Sequence, residues 1–307
     1  MEKASIFCPG KINLSLNILG RRGDGYHYID SVMQAIPFGD TLIAAVRNDN
    51  QVNISFEGEG AIGIGADNSV QKTVALLKSR FGEFGADILV QKQLPLAGGL
   101  GGSSANAAGA LVLLSRLFGF FDKNSSLKSD KSESGKIYNT KAPSQILKAA
   151  SSIGSDVCFL TGVILGQTAA RVSGVGEIIT PANGFNGHLV IAKIPNTAVS
   201  SADSYKLFDS MFPSFFCSPA DNDNLIAALK NGEPSYRFMH NALQTPSEHL
   251  CPDLLKTKSA LYAAGANHVM LSGSGACYIG FFDAETDAFK AASCLLSNGF
   301  WSIYVNI

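Results

Sequence analysis

The stretch Leu94–Leu114, LPLAGGLGGSSANAAGALVLL, contains four glycines within five positions, followed by two serines and an alanine-rich run. Apolar residues then recur at helical spacing, so the stretch predicts a glycine-rich loop that enters the N-terminus of a helix. Glycines let backbone N–H groups approach an anion, and a helix start adds unpaired donors. On these residues alone a phosphate-binding loop and a flexible turn before a buried helix both stay open. The absence of Gly-Lys-Ser/Thr and of clean G-x-G-x-x-G spacing argues against Walker and dinucleotide loops.

The composition around this stretch is that of a compact globular protein. Of 307 residues, 46% are apolar and 16% are charged, and the net charge is −1. Without a basic excess we expect a small-molecule partner and no nucleic acid. The six cysteines form no CxxC pair and no cluster with metal-ligand spacing, which favours reduced thiols and no resident metal site. Because neither a leader nor a long apolar run is found, we expect a cytoplasmic protein without a membrane span.

On the N-terminal side of the loop, residues 4–20 predict a strand in which Lys11 follows a Pro-Gly bend. Lys11 alone would indicate a solvated strand lysine. Residues 21–30 predict a turn that presents Tyr26 and His27, which suits a planar ligand or an ordinary hairpin with surface aromatics. Further strands are predicted at 38–46, 52–56 and 86–92, with a helix over 68–80 that begins at Asp67 or Asn68.

On the C-terminal side, a helix is predicted over 104–118. Residues 122–141 hold many Lys and Ser and little that could be buried, which predicts a surface insertion. A short helix over 144–153 precedes GSDVCFLTG, where Asp156 stands before an apolar run that we interpret as a buried strand. An acid at such a place is paired, caps a helix or takes part in chemistry. A strand pair is predicted at 163–167 and 169–172, with a turn at 174–177.

The last third predicts an α+β arrangement. Residues 188–194 indicate a buried strand, and a helix follows with Ser200 or Ser201 as its N-cap. Helices are predicted at 225–229, 236–243 and 254–264. The segment HVMLSGSGACYIGFF, 268–282, predicts strand, glycine turn and strand, and it is followed by a helix over 283–298 and a strand over 300–305. This order favours an antiparallel sheet with helices on one side.

The chain resembles the GHMP family of small-molecule kinases in three separated glycine-containing segments and in one acid. The segments are PGKINLSL, PLAGGLGGSSANAA and LSGSGA, and the acid is the one in GSDV. Three longer runs resemble in particular the branch of this family that acts on 4-diphosphocytidyl-2-C-methyl-D-erythritol. These runs are PGKINLSLNILGRRGDGYHYIDSVMQAIPFGD, SSIGSDVCFLTG and GVGEIITP. The resemblance implies an α+β two-domain fold: a ribosomal-protein-S5-domain-2-like kinase domain over 1–170 and a ferredoxin-like domain over 171–307.

The same resemblance implies a reaction, transfer of the ATP γ-phosphoryl group, with Mg²⁺, to the 2-hydroxyl of that cytidine-diphosphate-linked methylerythritol, a step of non-mevalonate isoprenoid precursor synthesis. Lys11 and Asp156 match the catalytic residues of the family. Tyr26 and Tyr205 would sandwich cytosine, His27 would read its edge, and Asn13 and Ser201 would contact the substrate. The positions implied for ATP binding are Asn68, Leu96, Ala97, Gly98, Gly99, Leu100, Gly101, Gly102, Ser103, Ser104, Ala105 and Asn106.

The sequence departs from the family pattern in two places. In the glycine loop Ser103 stands at a glycine position, Ala105 at a serine position and Asn106 at an acidic one, so either Ser103 or Ser104 could contact phosphate. Residues 241–244 read Asn-Ala-Leu-Gln, where the family often has two acids. These departures favour, as one alternative, a non-catalytic member that binds ligand. A second alternative is another GHMP kinase, of the homoserine or mevalonate type. Monomer and homodimer are both compatible with the sequence.

Overall fold

The computed structural model describes residues 2–58, 68–121, 144–214, 216–233 and 235–307. The chain is α+β and divides into two compact units whose segments interleave along the sequence. The first unit consists of Met1–Gly10, Gly39–Leu94 and Gly102–Gln167, and the second of Lys11–Phe38, Pro95–Gly101 and Thr168–Ile307. The domain boundary at residue 170 stays a prediction, and the predicted insertion at 122–141 lies outside the described residues.

In the first unit the sheet contains a β-α-β arrangement. Strands β1 (Lys3–Arg21) and β2 (His27–Arg47) pair and contribute residues 3–10 and 39–47 to this unit. Strand β3 (Val52–Glu57) runs parallel to β4 (Gly85–Gln91), with helix α1 (Ser69–Phe81) between them in sequence, and β4 is antiparallel to β2. The side chain of Asn68 accepts a hydrogen bond from the Gln71 amide at 3.0 Å, which confirms Asn68 as the N-cap of α1.

Helix α2 (Gly102–Phe118) is the central helix of the first unit. It buries every residue from Ala105 to Ser115 and packs against α1 and α4 (Ser155–Ile164), while α3 (Ser144–Ile153) packs on α4. Its small residues have a packing reason, since a methyl group at Gly109 would lie 2.2 Å from Cys8 Sγ on β1. The glycine stretch therefore enters a buried helix, as the sequence predicts, and a side chain larger than hydrogen at Gly109 would push the helix away from the strand.

In the second unit β5 (Ala169–Gly174) is antiparallel both to residues 29–34 of β2 and to β6 (Ile178–Pro181). Strand β7 (His188–Lys193) is followed by α5 (Ser201–Met211), α6 (Pro219–Asn231) and α7 (Gln244–Leu250). The Ser200 hydroxyl accepts from the Asp203 amide, so Ser200 is the N-cap of α5. Helix α6 begins at Pro219, directly after its N-cap Ser218, and proline is favoured at this first helical position.

The remaining elements are α8 (Leu254–Ala263), β8 (His268–Leu271), β9 (Tyr278–Phe282), α9 (Glu285–Ser297) and β10 (Trp301–Asn306). The strands β8, β9 and β10 form with β7 an antiparallel sheet of order β10-β7-β9-β8. Alternate strand residues such as Val190 and Ala192 pack with Leu261 of α8 and Ala288 of α9, so both helices cover one face. The β-α-β-β-α-β order with this sheet order is ferredoxin-like, as expected.

Several predicted elements are wrong. Val157–Leu160 and 163–167 are not strands, because α4 runs from Ser155 to Ile164 and the following turn closes with the Gln167 amide on the Gly162 carbonyl at 3.0 Å. A short apolar run cannot be assigned to strand or helix by periodicity.

The predicted helix at 236–243 is also wrong, since only Tyr236–Phe238 form a 3-10 turn. The following residues pair instead with Leu16 of β1, whose amide donates to the His240 carbonyl and whose carbonyl accepts from Ala242, both at 2.9 Å. The predicted helix at 225–229 is longer, Pro219–Asn231, and the predicted turn at 21–30 ends at His27, where β2 begins. None of the helices in the described ranges is long and apolar enough to cross a membrane.

Candidate functional site

The first half of the glycine loop belongs to the second unit and is held by the turn between β8 and β9. The carbonyl oxygens of Ala97, Gly98 and Gly99 accept hydrogen bonds from segment 272–277, at 2.8, 3.1 and 3.1 Å. Two donors are the backbone amides of Ala276 and Cys277, and the third is the Ser272 hydroxyl. With the three carbonyls engaged in this way, two of the three sequence motifs form one structural element.

Gly99 shows why this element requires glycine. Its φ is +72°, and a Cβ built on it would lie 1.9 Å from the Ser272 carbonyl oxygen. An L-residue is strained in this backbone region and has no space here. The loop start is held by Lys193, which was not predicted: its Nζ donates to the carbonyls of Leu96 at 3.0 Å and Thr197 at 2.7 Å. Burial lowers the pKa of Lys193.

Lys11 is buried, with 4% of its surface exposed, so the interpretation as a solvated strand lysine is wrong. Its backbone amide donates to the Leu100 carbonyl at 2.9 Å, and its Nζ donates to Asn13 Oδ1 at 2.7 Å. Asn13 in turn donates to the Ser31 hydroxyl at 2.8 Å. A methyl group at Gly273 would lie 3.6 Å from Lys11 Nζ. The second unit thus brings together the Lys11 ammonium group, Asn13, the first half of the glycine loop and the turn between β8 and β9.

The second half of the glycine motif starts α2 in the first unit. Ser103 is exposed and Ser104 is half-exposed, while Ala105 and Asn106 are buried. Ser69, in the first turn of α1, donates to the Ser103 carbonyl at 2.6 Å, and its hydroxyl also lies 2.8 Å from the Ser103 hydroxyl. The structure therefore brings the start of α1, with its cap Asn68, beside the start of α2.

A count of protons distinguishes the two serines. A hydroxyl carries one proton, and Ser69 uses its own toward the Ser103 carbonyl, so the bond between the two hydroxyls must use the proton of Ser103. Ser103 then offers only lone pairs, which repel phosphate oxygens. Which of the two serines contacts phosphate stays a prediction, and this count of protons favours Ser104. Ser69 was missed because nothing in its spacing connects it with residue 103.

Asn106 does not present its side chain to the surface. It is buried with Asp40 and Lys92: its Oδ1 accepts from Lys92 Nζ at 3.0 Å and its Nδ2 donates to Asp40 Oδ2 at 2.8 Å. Lys92 and Asp40 form an ion pair, and Asp40 also accepts from the amides of Gln93 and Leu94. This network fixes the strand end before the glycine loop to the first turns of α2. Its members are too far apart in sequence to form a recognisable motif.

Asp156 lies in the first turn of α4, half-exposed, in the first unit. A carboxylate at this position is stabilised by the N-terminal end of the helix. From its place in the sequence this acid was expected to be paired, to cap a helix or to take part in chemistry, at the entry to a strand; the strand is wrong, because α4 begins here. The helix supplies the physical reason for an acid at this point beside an apolar run.

The predicted base-reading residues all lie in the second unit. Tyr26 is 65% exposed in the turn before β2, and its amide donates to Asp24 at 3.1 Å. The next residue, His27, is buried, with its ring stacked on Tyr205 at a centroid distance of 4.8 Å. Tyr205 thus contacts His27 with one face. The predicted sandwich of a base between Tyr26 and Tyr205 stays a prediction.

Two further contacts of this region were missed. His27 Nε2 lies 2.7 Å from Asp209 of α5, and the Ser201 hydroxyl lies 2.6 Å from that of Ser274. The second contact joins the start of α5 to the β8–β9 turn. The four-residue spacing of Tyr205 and Asp209 could be recognised in the sequence. Their contact with His27, about 180 residues earlier, could not.

Comparison with known proteins decides the family. The description "GHMP kinases N terminal domain" matches residues 68–160, and "GHMP kinases C terminal" matches residues 211–300. The 4-diphosphocytidyl-2-C-methyl-D-erythritol kinase of Alkaliphilus metalliredigens is 32% identical over 287 residues, which are 92% of this chain and 89% of that protein. The chain belongs to the 4-diphosphocytidyl-2-C-methyl-D-erythritol kinase family of GHMP kinases.

Other members of this kinase family give the same result. The enzyme of that name from Deinococcus radiodurans is 32% identical, over 96% of this chain and 90% of its own. A crystal structure of 4-(cytidine 5'-diphospho)-2C-methyl-D-erythritol kinase superposes with a TM-score of 0.71 at 25% identity, covering 99% of this chain and 100% of that one. The homoserine kinase of Cytophaga hutchinsonii, at 16% identity and a TM-score of 0.68, shares the fold. As a GHMP kinase, the protein uses ATP.

Proposed function

We propose that this protein transfers the γ-phosphoryl group of ATP to the 2-hydroxyl of 4-diphosphocytidyl-2-C-methyl-D-erythritol, in isoprenoid precursor biosynthesis. The observation that carries the proposal is the likeness to curated kinases of that name, 32% identical over 92% of this chain. The residue pattern supports it further, because Lys11, Tyr26, His27 and Asp156 acquire joint roles in this reaction. The likeness to homoserine kinase, at 16% identity, supports only a common fold.

For ATP, we assign the glycine loop and the start of α2. Phosphoryl transfer requires mainly positioning and charge stabilisation. Backbone amides at the helix start and the Ser104 hydroxyl would donate to phosphate oxygens, with Asn68 near the adenine. The Ser104 hydroxyl is an oxygen ligand of the kind that Mg²⁺ accepts, the remaining ligands being phosphate oxygens and water. Bound Mg²⁺ would neutralise charge on the phosphates.

For the acceptor, we assign Asp156 as the general base and Lys11 as the stabilising cation. Asp156 would take the proton of the 2-hydroxyl while the hydroxyl oxygen forms a bond to the γ-phosphorus. The bond between the γ-phosphorus and the β-γ bridging oxygen breaks at the same time, and ADP leaves. Lys11 would stabilise the developing alkoxide. The 2.7 Å bond from Lys11 Nζ to Asn13 supports this role, since it fixes the ammonium group in a buried position. Asn13 and Ser201 would hold the acceptor.

The test is a coupled assay of ATP consumption with a panel of acceptors. We expect turnover with 4-diphosphocytidyl-2-C-methyl-D-erythritol and none above background with homoserine, mevalonate or methylerythritol phosphate lacking cytidine. Turnover with homoserine or mevalonate but not with the cytidine compound would overturn the proposal, and so would binding of the cytidine compound without any turnover.

A base variant sharpens the assay. Asp156→Asn should lower kcat by a factor of about 10²–10⁴, the usual contribution of general-base catalysis, and leave the affinity for both substrates largely unchanged. Unchanged turnover would reject Asp156 as the base. Exposed Asp253→Asn, which removes a carboxylate paired with Lys256 on the surface, is the matched control.

A further inference from the structure

His27 is fixed by helix α5 from two directions. Its ring is buried, with 6% of the side chain exposed, and its Nε2 lies 2.7 Å from Asp209 Oδ1. The ring of Tyr205 stacks on it at 4.8 Å with an interplanar angle of 21°. Tyr205 and Asp209 are four residues apart, and residues at this spacing lie on the same face of a helix. One turn of α5 therefore holds both the edge and the face of the imidazole.

This contact decides which nitrogen of His27 carries a proton. A carboxylate accepts hydrogen bonds and donates none, so Nε2 must be the donor in the bond to Asp209. In a neutral imidazole the other nitrogen, Nδ1, is then an acceptor. Asp209 is itself held from the other side, because its Oδ2 lies 3.3 Å from Arg21 Nη1. The carboxylate is thus kept in place at the His27 ring.

An acceptor at Nδ1 distinguishes the two pyrimidine bases. Cytosine carries an amino donor at its fourth ring position, and uracil carries a carbonyl oxygen there. We propose that Asp209 is a positioning residue that holds His27 as the Nε2–H tautomer, and thereby makes the acceptor site selective for cytosine over uracil. The proposal rests on the proposed function, in which His27 reads the base of a cytidine-diphosphate-linked acceptor.

The tautomer can be measured on the free protein without any substrate. In histidine labelled with ¹⁵N, the nitrogen shifts and their couplings to ring protons separate Nδ1–H from Nε2–H, and His27→Gln assigns the signal. We expect the Nε2–H form in the wild type and in Asp209→Asn, whose amide oxygen can still accept. Asp209→Ala should show a mixture. The Nδ1–H form in the wild type would overturn the inference.

Selectivity is measured with cytidine- and uridine-diphosphate-linked methylerythritol as acceptors. In Asp209→Ala the ratio of kcat/KM for the cytidine to the uridine compound should fall about tenfold, as expected for losing one base-edge hydrogen bond. The KM for ATP should stay within about twofold. Asp209→Asn should retain most of the selectivity, and Asp203→Ala, an exposed acid on the same helix, should retain all of it.

Several outcomes would contradict the inference. An equal loss for both acceptors in Asp209→Ala would show a merely structural role. If adding Asp209→Ala to His27→Gln lowers the selectivity further, Asp209 does not act through His27. The melting temperatures of all variants show whether any of them is unfolded. If the wild type phosphorylates neither compound, the proposed function fails and base selectivity fails with it. If the wild type is active but Asp209→Ala keeps full selectivity, this inference alone is wrong.

Discussion

Replacement of Gly99 by alanine tests the contact between the glycine loop and the β8–β9 turn. The added Cβ would lie 1.9 Å from the Ser272 carbonyl oxygen and 3.1 Å from that of Gly275. Carbon and carbonyl oxygen pack at about 3.3 Å, so the two segments must separate by about 1.4 Å. Backbone oxygen cannot move aside as a flexible side chain would. We therefore expect the three hydrogen bonds to the carbonyls of residues 97–99 to weaken together.

The magnitude follows from two contributions. Gly99 has a φ of +72°, where an L-residue costs about 1–2 kcal/mol. Each of the three hydrogen bonds contributes about 0.5–1.5 kcal/mol, so the loss of all three would bring the total for Gly99→Ala to about 2.5–6.5 kcal/mol of unfolding free energy. Gly119→Ala separates the two contributions: its φ is +66°, but among the described residues no non-neighbouring heavy atom lies within 4 Å of the added Cβ. Gly119→Ala should cost only the conformational part, about 1–2 kcal/mol.

Urea unfolding followed by far-UV circular dichroism and by tryptophan fluorescence measures both variants, and agreement of the two signals checks the two-state assumption. The difference between Gly99→Ala and Gly119→Ala then reports the steric contribution. Titration calorimetry with ATP should show weaker binding by Gly99→Ala, because the loop carries the proposed phosphate site. If Gly99→Ala is no more destabilising than Gly119→Ala, the contact with Ser272 does not stabilise the loop and the reasoning is refuted.

Three other predictions follow from the same structure. Ser104→Ala should raise the KM for ATP about tenfold and Ser103→Ala less than about threefold, as removal of one charge-assisted hydrogen bond implies; the reverse order would reject the proton count. Tyr26→Ala should weaken binding of the cytidine acceptor by about 1–3 kcal/mol in calorimetry, the value for one stacked base, and unchanged affinity would exclude stacking. Burial raises the pKa of Cys277 from 9.0 to about 12, so above pH 9 the unfolded chain loses this proton while the folded chain keeps it. Through this thiol the free energy of unfolding should therefore fall by roughly 1.4 kcal/mol per pH unit between pH 9 and 12. Urea unfolding at several pH values should show a weaker pH dependence for Cys277→Ala than for the wild type. The same pH dependence in both proteins would contradict the prediction.

The local elements of the fold were largely predictable. Helix α3 was predicted with its observed bounds, Ser144–Ile153, and the caps Asn68 and Ser200 were among the candidates named. These features depend on residues adjacent in sequence, where propensity and capping act. The segment 236–243 could not be predicted in this way, since its backbone pairs with Leu16, more than 200 residues earlier.

The candidate site divides in the same manner. The sequence by itself determined the types of residue that the chemistry needs: glycines and serines before a helix, a lysine after Pro-Gly, an acid in GSDV, and aromatic residues beside a histidine. Only the tertiary structure decided which atoms remain available to do that chemistry. The Ser103 hydroxyl lies 2.8 Å from that of Ser69, and His27 Nε2 lies 2.7 Å from Asp209 Oδ1. Hydrogen-bond donors and acceptors are consumed by partners distant in sequence, and no local pattern records that pairing.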